Sequence, residues 1–256
     1  MLNPVDWKRQ IWYTANMQWI VLGDLHGESR FIKKVQVQFP NHQILLMGDL
    51  IDSFTVPISG QIQCLDTVLD LIRQGGAVCL FGNHEASYLH PALRASGWNN
   101  GMDKHVQLLR DQILAFPRYQ YFPQHRTLFS HAGLTKQLWD EKGLSLESLE
   151  DTLKEWSLDL DSPYYHIGRY RGGYNKIGGL LWCDWNFEFE PVPGLIQVVG
   201  HSASFQRSKK LAKVEIRVGE RLRKNGDNWN VDCLQKSGDV LEFNDETGTL
   251  EPQTLL

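Results

Sequence analysis

An α/β fold follows from three features of the chain. One grammar repeats three times from Gln18 onward: an apolar run ends in a small polar cluster, and an amphipathic stretch follows. The three runs, WIVLGDLHG, QILLMGDLID and AVCLFGNHE, are apolar almost without interruption, as strands covered on both faces must be. The stretches behind them change to a 3.6-residue period, the mark of helices that pack by one face. Short strands closed by Gly and followed by helices make strand–loop–helix units.

The elements then read in order. WIVLGDLHG leads into ESRFIKKVQVQF, QILLMGDLID into QIQCLDTVLDLIRQ, and AVCLFGNHE into ASYLHPALR. The spacing of Leu65, Val68, Leu69 and Ile72 marks the clearest helix. A charged helical stretch from Lys104 to Leu114 precedes another apolar run, RTLFSHAG. Residues 135–160 read as mostly helical, with Leu138, Trp139, Leu144, Leu146, Leu149, Leu153 and Trp156 as packing positions. YYHIGRYRGGYNKIGG mixes aromatics with arginines and reads as a long functional loop rather than a linker. LIQVVGHS is a further strand ending in Gly-His. AKVEIRV, WNVDCL and DVLEF alternate in the manner of antiparallel strands. No composition break divides the chain. Residues 1–256 are therefore expected to form a single domain, motif-bearing over about 19–202, with C-terminal strands over about 211–243.

Composition narrows the function. With 42% hydrophobic and 11% aromatic residues over 256 positions, the chain can bury a large core and is not globally disordered. Its 26 basic and 30 acidic residues leave a net charge of -4, which opposes general nucleic-acid binding and adhesion to anionic membranes. No apolar run approaches the ~18 residues of a transmembrane helix. MLNPVDWKRQIWY carries Asp6, Lys8 and Arg9 and lacks the apolar stretch of a signal peptide. Cys64, Cys79, Cys183 and Cys233 are scattered and form no CxxC pair, so reduced thiols and a cytoplasmic location are expected.

The polar residues at the ends of the apolar runs carry the chemistry. Asp24 and His26 follow the first run, Asp49 the second, and Asn83 and His84 the third; His131 and His201 follow two later ones. In an α/β sheet the strand C-termini share one edge, and ligands bind outside it. Two carboxylates, an amide and four imidazoles, with no sulfur, suit manganese, iron, zinc or magnesium. A carboxylate can bridge two cations, and two cations ~3.5–4 Å apart activate a water for in-line displacement at phosphorus. Taken singly, Asp24 or Asp49 has an ordinary explanation as a helix N-cap, and His131 as a hydrogen-bonded core histidine. Together they point to one site. His42, His90, His105, His125 and His166 lack comparable surroundings.

GDLHG, GDLID, GNHE, SHAG and VGHS, in this order and spacing, resemble the calcineurin-like metallophosphoesterases. Within that superfamily the chain is most similar to the phosphoprotein-phosphatase branch, of bacterial or phage type. The resemblance implies two mixed β-sheets in a sandwich flanked by helices, with a metal site at the strand C-terminal edge. It implies two divalent metal ions, manganese foremost, with iron, zinc or magnesium as alternatives. By motif, Asp24 and His26 correspond to first-metal ligands, Asp49 to the bridging carboxylate, and Asn83, His131 and His201 to second-metal ligands. His84 corresponds to the histidine that protonates the leaving oxygen after attack by a metal-bridging hydroxide, and Asp52 to the carboxylate that orients it. Adjacent residues of an extended chain point opposite ways, which would let Asn83 face the metal while His84 faces the substrate. WNVDC is loosely similar to the family's Ile-Asp-Thr-Gly strand.

Two departures bear on substrate. The family's second motif usually continues Asp-Arg-Gly, but here Ser53 and Phe54 follow Asp52. Phosphate still calls for a guanidinium, and Arg171 in RYRGG is the best replacement, with Arg169 behind it. Symmetric dinucleoside tetraphosphatases, which share the framework, end the third motif in Asp where this chain has Glu85, and lack a carboxylate at the position of Asp52. The expected activity is hydrolysis of phosphomonoesters, in phosphoproteins or small molecules. A dinucleoside polyphosphate or nucleotide hydrolase is the second reading, and a metal-binding scaffold the third. His84 and Asp52 argue against the scaffold, since holding metal does not require them. Trp182 and Trp185 flank a loop near the expected site.

Overall fold

The computed structural model describes residues 17–93, 95–203, 205–207, 214–216 and 221–256; MLNPVDWKRQIWY and most of AKVEIRV lie outside them. The first half runs β1 (Gln18–Leu22), α1 (Arg30–Gln38), β2 (Gln43–Leu46), α2 (Ile58–Arg73), β3 (Ala77–Cys79), α3 (Asn83–Leu89), α4 (Asn100–Leu108) and α5 (Arg110–Leu114). A hairpin of β4 (Tyr119–Phe122) and β5 (Thr127–Ser130) follows, then α6 (Lys136–Glu141), α7 (Leu149–Leu158) and β6 (Ile196–Val199). The chain ends with β7 (Phe205–Arg207), β8 (Val214–Ile216), β9 (Arg223–Asn225), β10 (Asn228–Asn230), α8 (Leu234–Ser237), β11 (Asp239–Asn244) and β12 (Leu250–Thr254).

Two mixed five-stranded sheets, ordered β12-β11-β1-β2-β3 and β4-β5-β6-β10-β9, build the frame. β1, β2 and β3 are parallel to one another, as are β5, β6 and β10. One core lies between the sheets: Val21, Leu45, Leu241 and Phe243 from the first meet Phe122, Phe129 and Val198 from the second. The Phe243 ring packs edge-on against Phe122 and Phe129, with centroids 4.8 and 5.0 Å away. The intervening residues Ile20, Leu22, Ile44 and Leu46 face outward and are covered by Phe31, Ile32 and Val35 of α1 and Cys64, Leu65 and Val68 of α2. This two-sided burial explains why the runs lack alternation. In β11 the alternation is visible, and a one-residue slip would put Glu242 where Phe243 fills the core.

Three local expectations change. Residues 135–160 form two helices, α6 and α7, because Gly143, with φ +61°, turns the chain between them. Asn83 and His84 are not extended but open α3, where successive side chains diverge by about 100°. WNVDCL is not purely antiparallel: β10 pairs antiparallel with β9 but parallel with β6, so its C-terminal end arrives beside that of β6. Of AKVEIRV, only β8 is described, paired antiparallel with β7. No helix among the described residues is long and apolar enough to cross a membrane.

Candidate metal centre

Six parallel strands bring their C-terminal ends to one edge, and each delivers polar side chains there. Asp24 and His26 follow β1, Asp49 and Asp52 follow β2, and Asn83 and His84 follow β3. From the second sheet, His131 follows β5 and His201 follows β6. Backbone hydrogen bonds fasten the loops together. Leu25 and His26 donate N–H to Asp49 O at 3.0 and 2.9 Å, and Gly27 to Leu50 O at 2.7 Å. The two sheets are joined where His201 N–H donates to Asp24 Oδ1 at 3.0 Å and His131 Nδ1 to Met47 O at 2.7 Å.

These loops are tightly wound. His26, Asp49, Asp52 and His201 all have positive φ, at 43°, 52°, 64° and 65°. Left-handed backbone is uncommon outside Gly, least so for Asn, Asp and His. Gly82 meets a stricter demand, since a Cβ there would lie 2.3 Å from Asp49 Oδ1 and 2.4 Å from Asp49 N. Glu85, fully buried, holds the same junction by accepting from Asp49 N, Leu50 N and Gly82 N at 2.9, 2.8 and 3.1 Å.

Two groups of donor atoms result: His26, Asp49 and His84, and Asp49, His131 and His201, each within 4.8 Å. Asp49 belongs to both. Asp24 Oδ2 stands 3.9 Å from His26 Nε2, beside the first group. Asn83 Oδ1 lies 2.8 Å from both His131 Nε2 and His201 Nδ1, inside the second. His84 turns its Nδ1 to Asp52 Oδ2 at 2.9 Å and its Nε2 toward Asp49 Oδ2 at 3.8 Å.

The donor chemistry fits a cation. A carbonyl oxygen can only accept, so His131 Nδ1 facing Met47 O, and His26 Nδ1 facing Ile51 O at 2.7 Å, both carry hydrogen. In the neutral rings each Nε2 then presents a lone pair to the site, as metal-ligating histidines do. The His131 lone pair would face Asn83 Oδ1, Asp49 Oδ2 at 3.3 Å and His201 Nδ1 at 3.2 Å, a set of acceptors that a cation satisfies together. A proton on His131 Nε2 would serve the same acceptors. Burial opposes it, but the Asp49 charge and hydrogen bond raise the His131 pKa to about 9. Burial opposes ionisation of Asp49 too, yet the His131 and His84 charges hold it well below the usual range. Asp24 is pushed well above that range by burial, then by the charges of Asp232 and Asp49. His84 is raised, because the Asp49 charge and the Asp52 hydrogen bond outweigh burial. Gly82→Ala should displace the Asp49 carboxylate and weaken divalent-cation binding by about 10–100-fold, measured by titration calorimetry. Wild-type affinity would show that the α3 start yields instead.

Of the expected phosphate-binding arginines, only Arg171 reaches this cluster. Its Nε lies 2.8 Å from Asp184 Oδ2, and its Nη2 donates to Ser202 Oγ at 2.6 Å and His201 O at 3.4 Å. His201 is held well below its usual pKa by burial and then by the Arg171 charge. Arg169, on the same short turn, is exposed. Trp182 packs edge-on against His201 with centroids 5.9 Å apart, and Trp185 N–H donates to Ser202 Oγ at 3.0 Å.

Three further residues, Asp232, Arg223 and Asp184, take part without a role in the sequence pattern, and Glu85 takes a different one. Asp232, two residues past β10, is raised to about 6 by burial and the Asp49 charge, against the pull of Arg223. Its signal was the parallel pairing of β10, which alternation cannot reveal. Arg223 donates Nη1 to Asn186 Oδ1 at 2.7 Å and Nη2 to Ser202 O, bracketing Ser202 opposite Arg171. Asp184, just after Cys183, is the carboxylate that faces Arg171 Nε. Glu85, which the sequence marks only as a departure from the tetraphosphatase Asp, reaches back to the Gly82 N–H at the start of α3.

The sequence matches the calcineurin-like phosphoesterase family over residues 17–205. No curated protein matches it. Among solved structures, a point mutant of a cold-active protein tyrosine phosphatase is similar at 13% identity and TM-score 0.53, covering 94% of this chain and 80% of its own. That likeness shows the fold. A protein serine/threonine phosphatase from Saccharomyces cerevisiae is similar at 15% identity and TM-score 0.48, covering 95% and 81%. A putative diadenosine tetraphosphatase is similar at 17% identity and TM-score 0.41, covering 93% of both chains. Since the family match runs unbroken across every residue gathered between Asp24 and His201, the chain belongs to the calcineurin-like phosphoesterases and is a metal-dependent phosphoesterase.

Proposed function

We propose that the chain is a phosphomonoesterase acting on phosphoserine or phosphothreonine in proteins, with two divalent cations and manganese as the preferred metal. The observation that carries this reading is the position of Asp49 in two donor groups at once. Asp24, His26 and Asp49 would hold one cation, and Asp49, Asn83, His131 and His201 the other. The bound cations supply Lewis acidity to the phosphate oxygens and lower the pKa of a water that attacks phosphorus. The reading includes one domain over residues 1–256 and a cytoplasmic location.

The side chains divide the remaining work. His84 Nε2 gives its proton to the leaving oxygen, while Asp52 holds Nδ1–H and fixes the ring. Arg171 binds a phosphate oxygen. Two of its nitrogens are anchored by Asp184 and Ser202, and Nη1 forms no hydrogen bond among the described residues. Arg171→Ala should lower kcat/KM by about 10²-fold at unchanged metal content, as removal of a donor to developing charge does. Arg169→Ala should stay near wild type. Wild-type kcat/KM in both variants would remove this loop from phosphate binding.

A substrate panel under one manganese condition tests the whole reading. Phosphopeptides and simple phosphomonoesters should turn over faster than nucleotides or dinucleoside polyphosphates. Preference for a dinucleoside polyphosphate, with little hydrolysis of monoesters, would replace this reading with the second one.

A further inference from the structure

α3 places two side chains of different chemistry on one stripe. His84 and Tyr88 are four residues apart, so they stack on the same helical face. Both grip Asp52. His84 Nδ1 meets Asp52 Oδ2 at 2.9 Å, and the Tyr88 hydroxyl donates to Asp52 Oδ1. Asn99 N–H donates to the Tyr88 oxygen at 3.1 Å. That N–H occupies the accepting side of the phenol, so the single phenolic hydrogen is directed at Asp52. The tyrosine ring is itself held by stacking on Trp98, with centroids 5.8 Å apart and planes 24° apart.

The backbone of Asp52 is fixed separately. Its φ of 64° is left-handed, and its N–H donates to Gln61 Oε1 at 2.9 Å. Gln61 Nε2 in turn donates to Val56 O at 2.8 Å and Ser53 O at 3.2 Å. Rotation about the Cβ–Cγ bond of Asp52 is what Gln61 leaves free. Tyr88 removes it, since seating Oδ1 on the hydroxyl turns Oδ2 toward His84.

We propose that Tyr88 is a positioning residue for proton transfer, acting through Asp52 to hold His84 Nε2 toward the reacting phosphate. The inference rests on the reading of His84 as the proton donor. A carboxylate buried to 2% exposure with one oxygen unpaired would also be costly, and the hydroxyl satisfies it. Loss of the hydroxyl lets the carboxylate rotate and lets the imidazole follow.

The test compares manganese-loaded Tyr88→Phe, Asp52→Asn, the double variant and His84→Asn on phenyl phosphate and 4-nitrophenyl phosphate. Phenolate leaves poorly and needs protonation; nitrophenolate needs it less. Tyr88→Phe should lower kcat on phenyl phosphate about tenfold, the scale of a hydrogen bond to a charged group, and much less on the nitrophenyl ester. KM and metal content should be retained, in assays run below the onset of melting, since the unpaired Asp52 oxygen lowers stability. In the Asp52→Asn background the same change should cost less than about twofold, because the link from Asp52 Oδ2 to His84 Nδ1–H, through which Tyr88 acts, is already broken. Wild-type kcat in Tyr88→Phe, an equal loss on both esters, or a full tenfold loss added to that of Asp52→Asn would overturn the inference. If His84→Asn discriminates between the esters and Tyr88→Phe does not, this inference falls alone. If His84→Asn loses equally on both, the proton-donor reading falls with it.

Discussion

Asp49→Asn is expected to abolish hydrolysis, by at least about 10³-fold, and to strip both cations from the protein. Asparagine preserves the shape of the side chain and its Oδ1, which accepts from His84 N at 2.9 Å. It removes the negative charge that the two donor groups share. Removal of any other donor leaves one group complete; removal of this one damages both. The site then holds Asp24 as its remaining carboxylate of the set, facing histidines that bind cations weakly without a counter-charge. Elemental analysis after dialysis against manganese, with kcat on 4-nitrophenyl phosphate, measures both consequences. Two ions per chain and near-normal turnover in this variant would disprove a shared carboxylate.

His84→Asn should lower kcat by roughly 10²–10⁴-fold, the range of a positioned general acid. Metal content should be nearly intact, although His84 Nε2 stands close enough to His26 and Asp49 to be counted among possible ligands. Its Nδ1 is committed to Asp52, and Asp52 is buried and braced, an arrangement suited to a ring that must deliver a proton in one direction. The loss should be greatest for esters with poor leaving groups. If the variant loses manganese instead, His84 is a ligand and the proton donor lies elsewhere.

The sequence made the gathering of the site legible because parallel strands translate position into place. A polar residue just past an apolar run must emerge at the common edge, so Asp24, Asp49, Asn83, His131 and His201 could be collected from the chain alone. Asp232 was lost through the same rule. WNVDCL alternates as an antiparallel strand would, whereas the direction of β10 is set by its pairing with β6, a strand distant in sequence. Tyr88 was hidden differently. An aromatic residue four places after His84 looks like core packing, and only the folded position of Asn99 N–H turns its hydroxyl into a donor for Asp52. Helix boundaries failed where a single residue decided them, as at Gly143 and at the start of α3.

The donors come from opposite halves of the sandwich: Asp24, His26, Asp49 and Asn83 from one sheet, His131 and His201 from the other. A cation held by Asp49, Asn83, His131 and His201 is therefore also a clasp between the two layers. Its binding energy is delivered to the folded state alone, since the unfolded chain scatters these residues from Asp24 to His201. At a free metal concentration a hundredfold above Kd, such a clasp adds about 2.7 kcal/mol to stability, and a chelator removes it. Melting temperature thus becomes a gauge of occupancy, readable without any substrate. It also makes the lifetime of the enzyme, not only its turnover, depend on the metal supply of its surroundings.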